Sequence, residues 1–141
     1  HRFAILHPDR LWAASIGASG SVTLLDPQRD WWVGIRDLKQ RFGIDFNAAA
    51  LRQVPVQMLV GDADLETWEI THKPGGTYWM EGANDAGRTR PERLESLRGS
   101  FEAAGVQVRF DLLPGVSHDR MKALGKVQDF LAGVLKSRRA R

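Results

Sequence analysis

The chain has 141 residues, 43% of them hydrophobic and 26% charged, a balance ordinary for one globular domain. Its formal net charge is +3 and it contains no cysteine, which excludes disulfides and thiolate chemistry. No apolar run nears the roughly 18 residues that a membrane span needs. Zinc-ligand spacings, phosphate-cradling glycine loops and internal repeats are absent too, so no metal or cofactor is expected.

Phe3, Ile5 and Leu6 give residues 1–7 helical spacing, and the segment stops at His7-Pro8 because proline disfavours helix in the residue before it. A helix that opens on residue 1 with no capping residue ahead of it is expected to be the remainder of a longer one. The opening HRFAILHPDR also lacks the basic and apolar regions of a signal peptide. After a turn at Pro8-Asp9-Arg10, the apolar run of residues 11–17 (LWAASIG) suits a buried strand. Residues 18–30 read as loop. Two short helices are expected at 35–42 and 47–53 on either side of Gly43, the second capped by Asn47.

Residues 54–61 (VPVQMLVG) form the clearest strand, nearly continuously apolar as in a parallel sheet covered on both faces. Glycines and Pro74 break up residues 65–88, which read as a long surface loop with one helical turn. Thr89 and Pro91 then open a helix that carries Leu94, Leu97, Phe101 and Ala104 and closes at Gly105. Val106, Val108, Phe110 and Leu112 alternate with polar residues, a period of two that marks a strand near a sheet edge. Past Pro114-Gly115, Met121, Leu124, Val127, Leu131 and Leu135 define a last amphipathic helix. Its end carries Lys136, Arg138, Arg139 and Arg141, a solvated helix terminus where positive charge suits the dipole. No nucleic-acid or membrane partner is expected from that tail.

Strands separated by helices imply an α/β fold: three parallel strands flanked by helices. The first strand would keep an unpaired inner edge. Self-association through that exposed edge, or dependence on a missing segment, is expected.

Two strand ends carry chemistry. Gly61-Asp62-Ala63-Asp64 follows the second strand, and Leu113-Pro114-Gly115-Val116-Ser117-His118 follows the third. Ligand and catalytic groups gather beyond the carboxyl ends of parallel strands. A carboxylate and an imidazole there would lie side by side, the acid fixing the tautomer while the histidine takes a proton from a nucleophile. Either group alone is ordinary, since Gly-Asp makes turns and loop histidines are mostly surface residues. Together, on successive strand ends in the order acid then histidine, they favour a triad remnant.

VPVQMLVGDAD and LPGVSHDRMKALGKVQDFL resemble the last two motifs of the α/β-hydrolase superfamily, and HRFAILHPDRLWAASIGASG resembles the segment that succeeds its nucleophile elbow. The likeness spans nearly the whole chain, is weakest over 18–53 and 65–88, and is greatest toward esterases similar to polyhydroxybutyrate depolymerases. It implies the C-terminal part of that fold, with Asp64 as the acid, His118 as the general base, and Asp62 as the alternative acid. The implied parent is a serine hydrolase acting on a small-molecule or polymeric ester. Trp68, Tyr78, Trp79 and Met80 would then line an acyl or alcohol pocket, or simply pack the loop onto the body. Trp31 and Trp32 fall where the family inserts lid helices.

Gly17-Ala18-Ser19-Gly20-Ser21 resembles the nucleophile motif, but its fifth position is serine. The residues after Ser19 make a poor helix, cut by Pro27, whereas an elbow turns from strand straight into helix. The serine is therefore expected ahead of His1, and the chain alone is expected to be inactive. The competing readings are a non-catalytic α/β binding or interaction module, and an independent Rossmann-like domain, which the lack of a glycine-rich turn after the first strand disfavours.

Overall fold

A computed structural model of the chain describes residues 1–140, so Arg141 of the basic tail lies outside the described residues. Three parallel strands, β1 (Ala14–Gly17), β2 (Val56–Gly61) and β3 (Val108–Leu113), form one sheet in the order β1-β2-β3. The helices are α1 (Arg2–Leu6), α2 (Leu38–Phe42), α3 (Ala48–Leu51), α4 (Arg90–Ala103) and α5 (Arg120–Arg139). This is the α/β arrangement that the order of elements implies. β1 is an edge strand, with no strand paired on its other side among the described residues.

Each strand starts later than its apolar run, and backbone donors explain why. Pro55 has no N–H but its carbonyl accepts from Ala14, so the ladder opens at the Ala14–Val56 pair and residues 11–13 stay outside it. Val54 turns its N–H back to Leu51, and Val106 gives its own to Phe101. α2 starts later than its expected bound for a similar reason: Ile35 and Arg36 donate to Asp26 and Arg29 in the preceding loop. No helix is long and apolar enough to cross a membrane among the described residues.

The two faces of the sheet differ. Ile16, Val56, Met58 and Val60 join Ala4, Ile5, Leu51, Leu94, Leu97 and Phe101 in one core beneath α1, α3 and α4. The opposite face carries a polar row under α5. Ser15 donates to Gln57 Oε1 (2.8 Å), and Gln57 Nε2 donates to Asp111 Oδ2 (2.7 Å) and the Lys126 carbonyl (3.1 Å). Gln57 is fully buried, so this row satisfies what would be a costly polar group. Desolvation pushes the Asp111 carboxyl up, but hydrogen bonds from Arg109 and Gln57 and the Arg109 charge outweigh it and hold it below its ordinary value.

Residues 65–88 form a succession of tight turns rather than an open loop. Arg93 on α4 pins them. Its guanidinium donates to the carbonyls of Gly87, Ile70 and Gly20 and to Asn84 Oδ1, and Asn84 in turn brackets the backbone of His72. His72 packs at a tilt against Trp32, with ring centroids 4.8 Å apart, and its Nε2 is buried without a partner among the described residues.

At the carboxyl end of the sheet the connections after β2 and β3 are laced together. Asp62 N–H donates to the Leu113 carbonyl (3.1 Å), Ala63 N–H to the Val116 carbonyl (3.0 Å), and Gly115 N–H to Asp62 Oδ1 (2.7 Å). Gly61 makes this approach feasible, because a Cβ there would collide with the Val116 backbone.

Two outcomes are expected. Gly61→Ala forces two backbones apart and should cost roughly 1–3 kcal/mol in urea unfolding; an unchanged midpoint would show that the lacing tolerates a methyl group. Burial, then the Arg93 and Arg2 charges, hold the His72 imidazole below its ordinary value. The unfolded chain therefore takes up that proton first, and stability present above about pH 6.5 is lost as the pH falls through that value. His72→Phe should flatten the difference in unfolding midpoint between about pH 8 and pH 5.5.

Candidate active site

Asp64 and His118 meet beyond the ends of β2 and β3. Asp64 closes a tight turn in which its own N–H donates to the Gly61 carbonyl at 3.2 Å. Its side chain is 1% exposed. His118 sits in the short connection between Leu113 and Asp119, where Asp119 caps α5 by accepting from the Met121 N–H at 2.9 Å. His118 Nδ1 lies 2.8 Å from Asp64 Oδ2. With the carboxylate ionised, Nδ1 is the protonated nitrogen, and Nε2 is left to accept a proton from another group.

Asp62 has a different occupation. Its carboxylate accepts the Gly115 N–H and so shapes the turn that delivers His118, without touching the imidazole among the described contacts. Its neighbour two residues on holds the ring instead.

The buried carboxylate has a second partner. Arg90 Nη1 donates to Asp64 Oδ1 at 3.1 Å, and Arg90 Nη2 donates to Glu69 Oε2 at 2.6 Å. An ionised carboxylate at this depth is tolerated only if it is paired. Arg90 and Glu69 do not stand out in the sequence as site residues. One local signal does exist: arginine in the first turn of a helix opposes the dipole, so it calls for nearby carboxylates.

The His118 side chain is 57% exposed and lines an open hollow of about 350 Å³ together with Ala18, Asp119, Arg120 and Met121. Ser19 adjoins this hollow through Ala18, but its hydroxyl donates back to the Gly17 carbonyl at 3.0 Å. Among the described residues, Asp64 is the hydrogen-bond partner of His118, and no hydroxyl reaches the ring.

Trp68, 73% exposed, and Trp79, 43% exposed, do not line the His118 hollow, and Tyr78 is likewise on the surface. The Tyr78 carbonyl accepts from Trp32 Nε1, which ties this stretch to the loop before α2. Met80 lines a separate cleft with Asp26, Gln28, Arg29, Asp30, Arg36 and Glu81. Trp31 packs edge-on against Phe42. Among the described residues no group of three or more His, Asp or Glu is disposed to hold a metal ion.

No family model matches the sequence, and no curated protein matches it. Solved structures do. The chain superposes on poly(aspartic acid) hydrolase-1 from Sphingomonas sp. KT-1 with a TM-score of 0.70 at 22% identity, over 92% of this chain and 48% of that one. It superposes on a poly(3-hydroxybutyrate) depolymerase from Bordetella parapertussis with a TM-score of 0.59 at 21% identity, over 82% of this chain and 38% of that one. The chain thus spans about half the length of the first and less than two-fifths of the second. At such identities the likeness is one of fold; both of those structures are hydrolases by name.

Proposed function

We propose that this chain supplies the acid and the general base of a serine-hydrolase triad of esterase type, and that it is inactive by itself. The observation that carries the reading is the contact between His118 Nδ1 and the buried Asp64 carboxylate at 2.8 Å. In this role Asp64 fixes the ring so that Nε2 takes the nucleophile's proton, and it stabilises the imidazolium that forms. His118 then returns the proton to the leaving alcohol, and the acyl-enzyme is hydrolysed with the same base activating water.

The nucleophile and the oxyanion donors must come from elsewhere, since the Ser19 hydroxyl is turned onto its own backbone. A polymer is the favoured substrate class, since both structural neighbours are polymer hydrolases by name; an ester linkage is favoured by the poly(3-hydroxybutyrate) depolymerase, whereas poly(aspartic acid) is a polyamide. Trp68 and Trp79 enter this reading as outer contacts for such a chain, being exposed and outside the hollow that holds His118.

The purified chain should not hydrolyse p-nitrophenyl butyrate above background, and Ser19 should resist a fluorophosphonate probe. Turnover that His118→Ala abolishes would place a nucleophile within these residues and overturn the reading. Joined behind a segment that supplies a strand ending in Gly-x-Ser-x-Gly, the chain should hydrolyse the ester. Asp64→Asn should then lower kcat by about 10⁴-fold, as loss of the correct tautomer does in such triads. A hybrid equally active with and without His118 would remove the general base from the proposal.

A further inference from the structure

We infer that Arg90 is the positioning residue of the Asp64–His118 pair, acting as a bridge that keeps the buried acid aimed at the ring, with Glu69 as the outer anchor of that bridge. The inference rests on the reading that Asp64 and His118 are the acid and the base.

An aspartate's terminal torsion is broad and nearly two-fold, so a carboxylate held only by His118 would exchange its two oxygens and wander in direction. In this site the oxygens are divided. Oδ2 meets His118 Nδ1 at 2.8 Å, and Oδ1 accepts from Arg90 Nη1 at 3.1 Å. No backbone N–H reaches either oxygen among the described residues, so the guanidinium is the one fixed donor available to orient the carboxylate.

Arg90 is itself immobilised. Its side chain is 7% exposed, it sits in the first turn of α4 beside Pro91, and its other terminal nitrogen is held by Glu69 at 2.6 Å. A planar guanidinium can bridge two carboxylates in one fixed geometry, which an ammonium cannot.

The charges add up to a function for Glu69. An Arg90–Asp64 pair alone would be neutral and would offer little to a developing imidazolium. With Glu69 the row reads minus, plus, minus, so one net negative charge faces His118 while Asp64 stays paired in a low-dielectric setting. Glu69 reaches this row from the surface, with a 43% exposed side chain, and can be altered without opening the core.

The test is the tautomer of His118 in the full chain, read by long-range ¹H–¹⁵N correlation of ¹⁵N-histidine-labelled protein at about pH 8, where a free imidazole is neutral. The parent should show His118 protonated at Nδ1. Arg90→Lys retains the charge but not the bridge, and should lose part of that population. Arg90→Gln should lose roughly half or more, as the acid regains its torsional freedom. Glu69→Gln should fall between the parent and Arg90→Gln.

A series that stays flat from parent through Arg90→Lys to Arg90→Gln overturns the inference, and Arg90→Lys alone decides the matter if Arg90→Gln fails to fold. Asp64→Asn separates the two levels of the argument, because its amide can donate to Nδ1 and switch the tautomer. If Asp64→Asn leaves the ring unchanged, the acid–base pair itself fails. If Asp64→Asn switches the ring while the Arg90 series stays flat, the pair stands and only the role of Arg90 is lost.

Discussion

Burying a guanidinium costs several kcal/mol unless its N–H groups find acceptors, and α4 buries two of them, Arg90 and Arg93, within its first turn. Much of the connection on either side of β2 is arranged to meet that demand. Arg93 gathers carbonyls from the connections on both sides of β2, drawing Gly20, Ile70 and Gly87 toward one point. Arg90 gathers carboxylates, Asp64 and Glu69, from the turns after β2. The helix is held to the sheet by Leu94, Leu97 and Phe101, so these apolar contacts fix the position of both arginines. The packing of one helix thereby sets the course of two loops and the direction of the acid.

How much of this was legible in the sequence depends on the range over which each interaction acts. The run at 54–61, the Thr89-Pro91 helix start and the alternation at 106–112 are local patterns, and each corresponds to an element in the structure. Their ends were shifted by single backbone groups, the missing donor of Pro55 and the diverted N–H of Val106, which periodicity does not register. Asp64 and His118 could be paired in advance because topology alone brings successive strand ends together. The resemblance already favoured Asp64 over Asp62, and in the structure Asp64 contacts the ring while Gly115 claims the Asp62 carboxylate. Arg93 was beyond reach: its acceptor at Gly20 is 73 residues away, and nothing in either segment announces the other. The aromatic residues after Asp64 are a different case. Trp68, Tyr78 and Trp79 cluster in sequence, which suits either a pocket lining or packing of the loop onto the body, and the turns of 65–88 leave them exposed and outside the His118 hollow.

The unequal faces of the sheet have a bearing on the site as well. The face toward α4 is a closed apolar core, whereas the face toward α5 is a polar row from Ser15 through Gln57 to Asp111. Such a row specifies the register of the strands beneath the helix, since its hydrogen bonds are made between fixed partners on adjacent strands. It contributes less than an apolar core would to holding α5 down. Leu124 and Leu135 on that helix remain exposed, and Phe130 is its sole buried residue.

The loose seating of α5 sets Asp64 and His118 apart in how firmly each is held in the folded state. Asp64 is 1% exposed, held by Arg90 of α4 and set beside the laced strand ends. His118 lies immediately before the first turn of α5, on a helix with few buried apolar contacts, which is where low-energy sub-global openings arise. Each such opening withdraws the imidazole while leaving the carboxylate clamped in place. Contact between the ring and the carboxylate therefore depends on the seating of α5 as well as on the clamp around Asp64, so side chains many residues from the hydrogen bond bear on it.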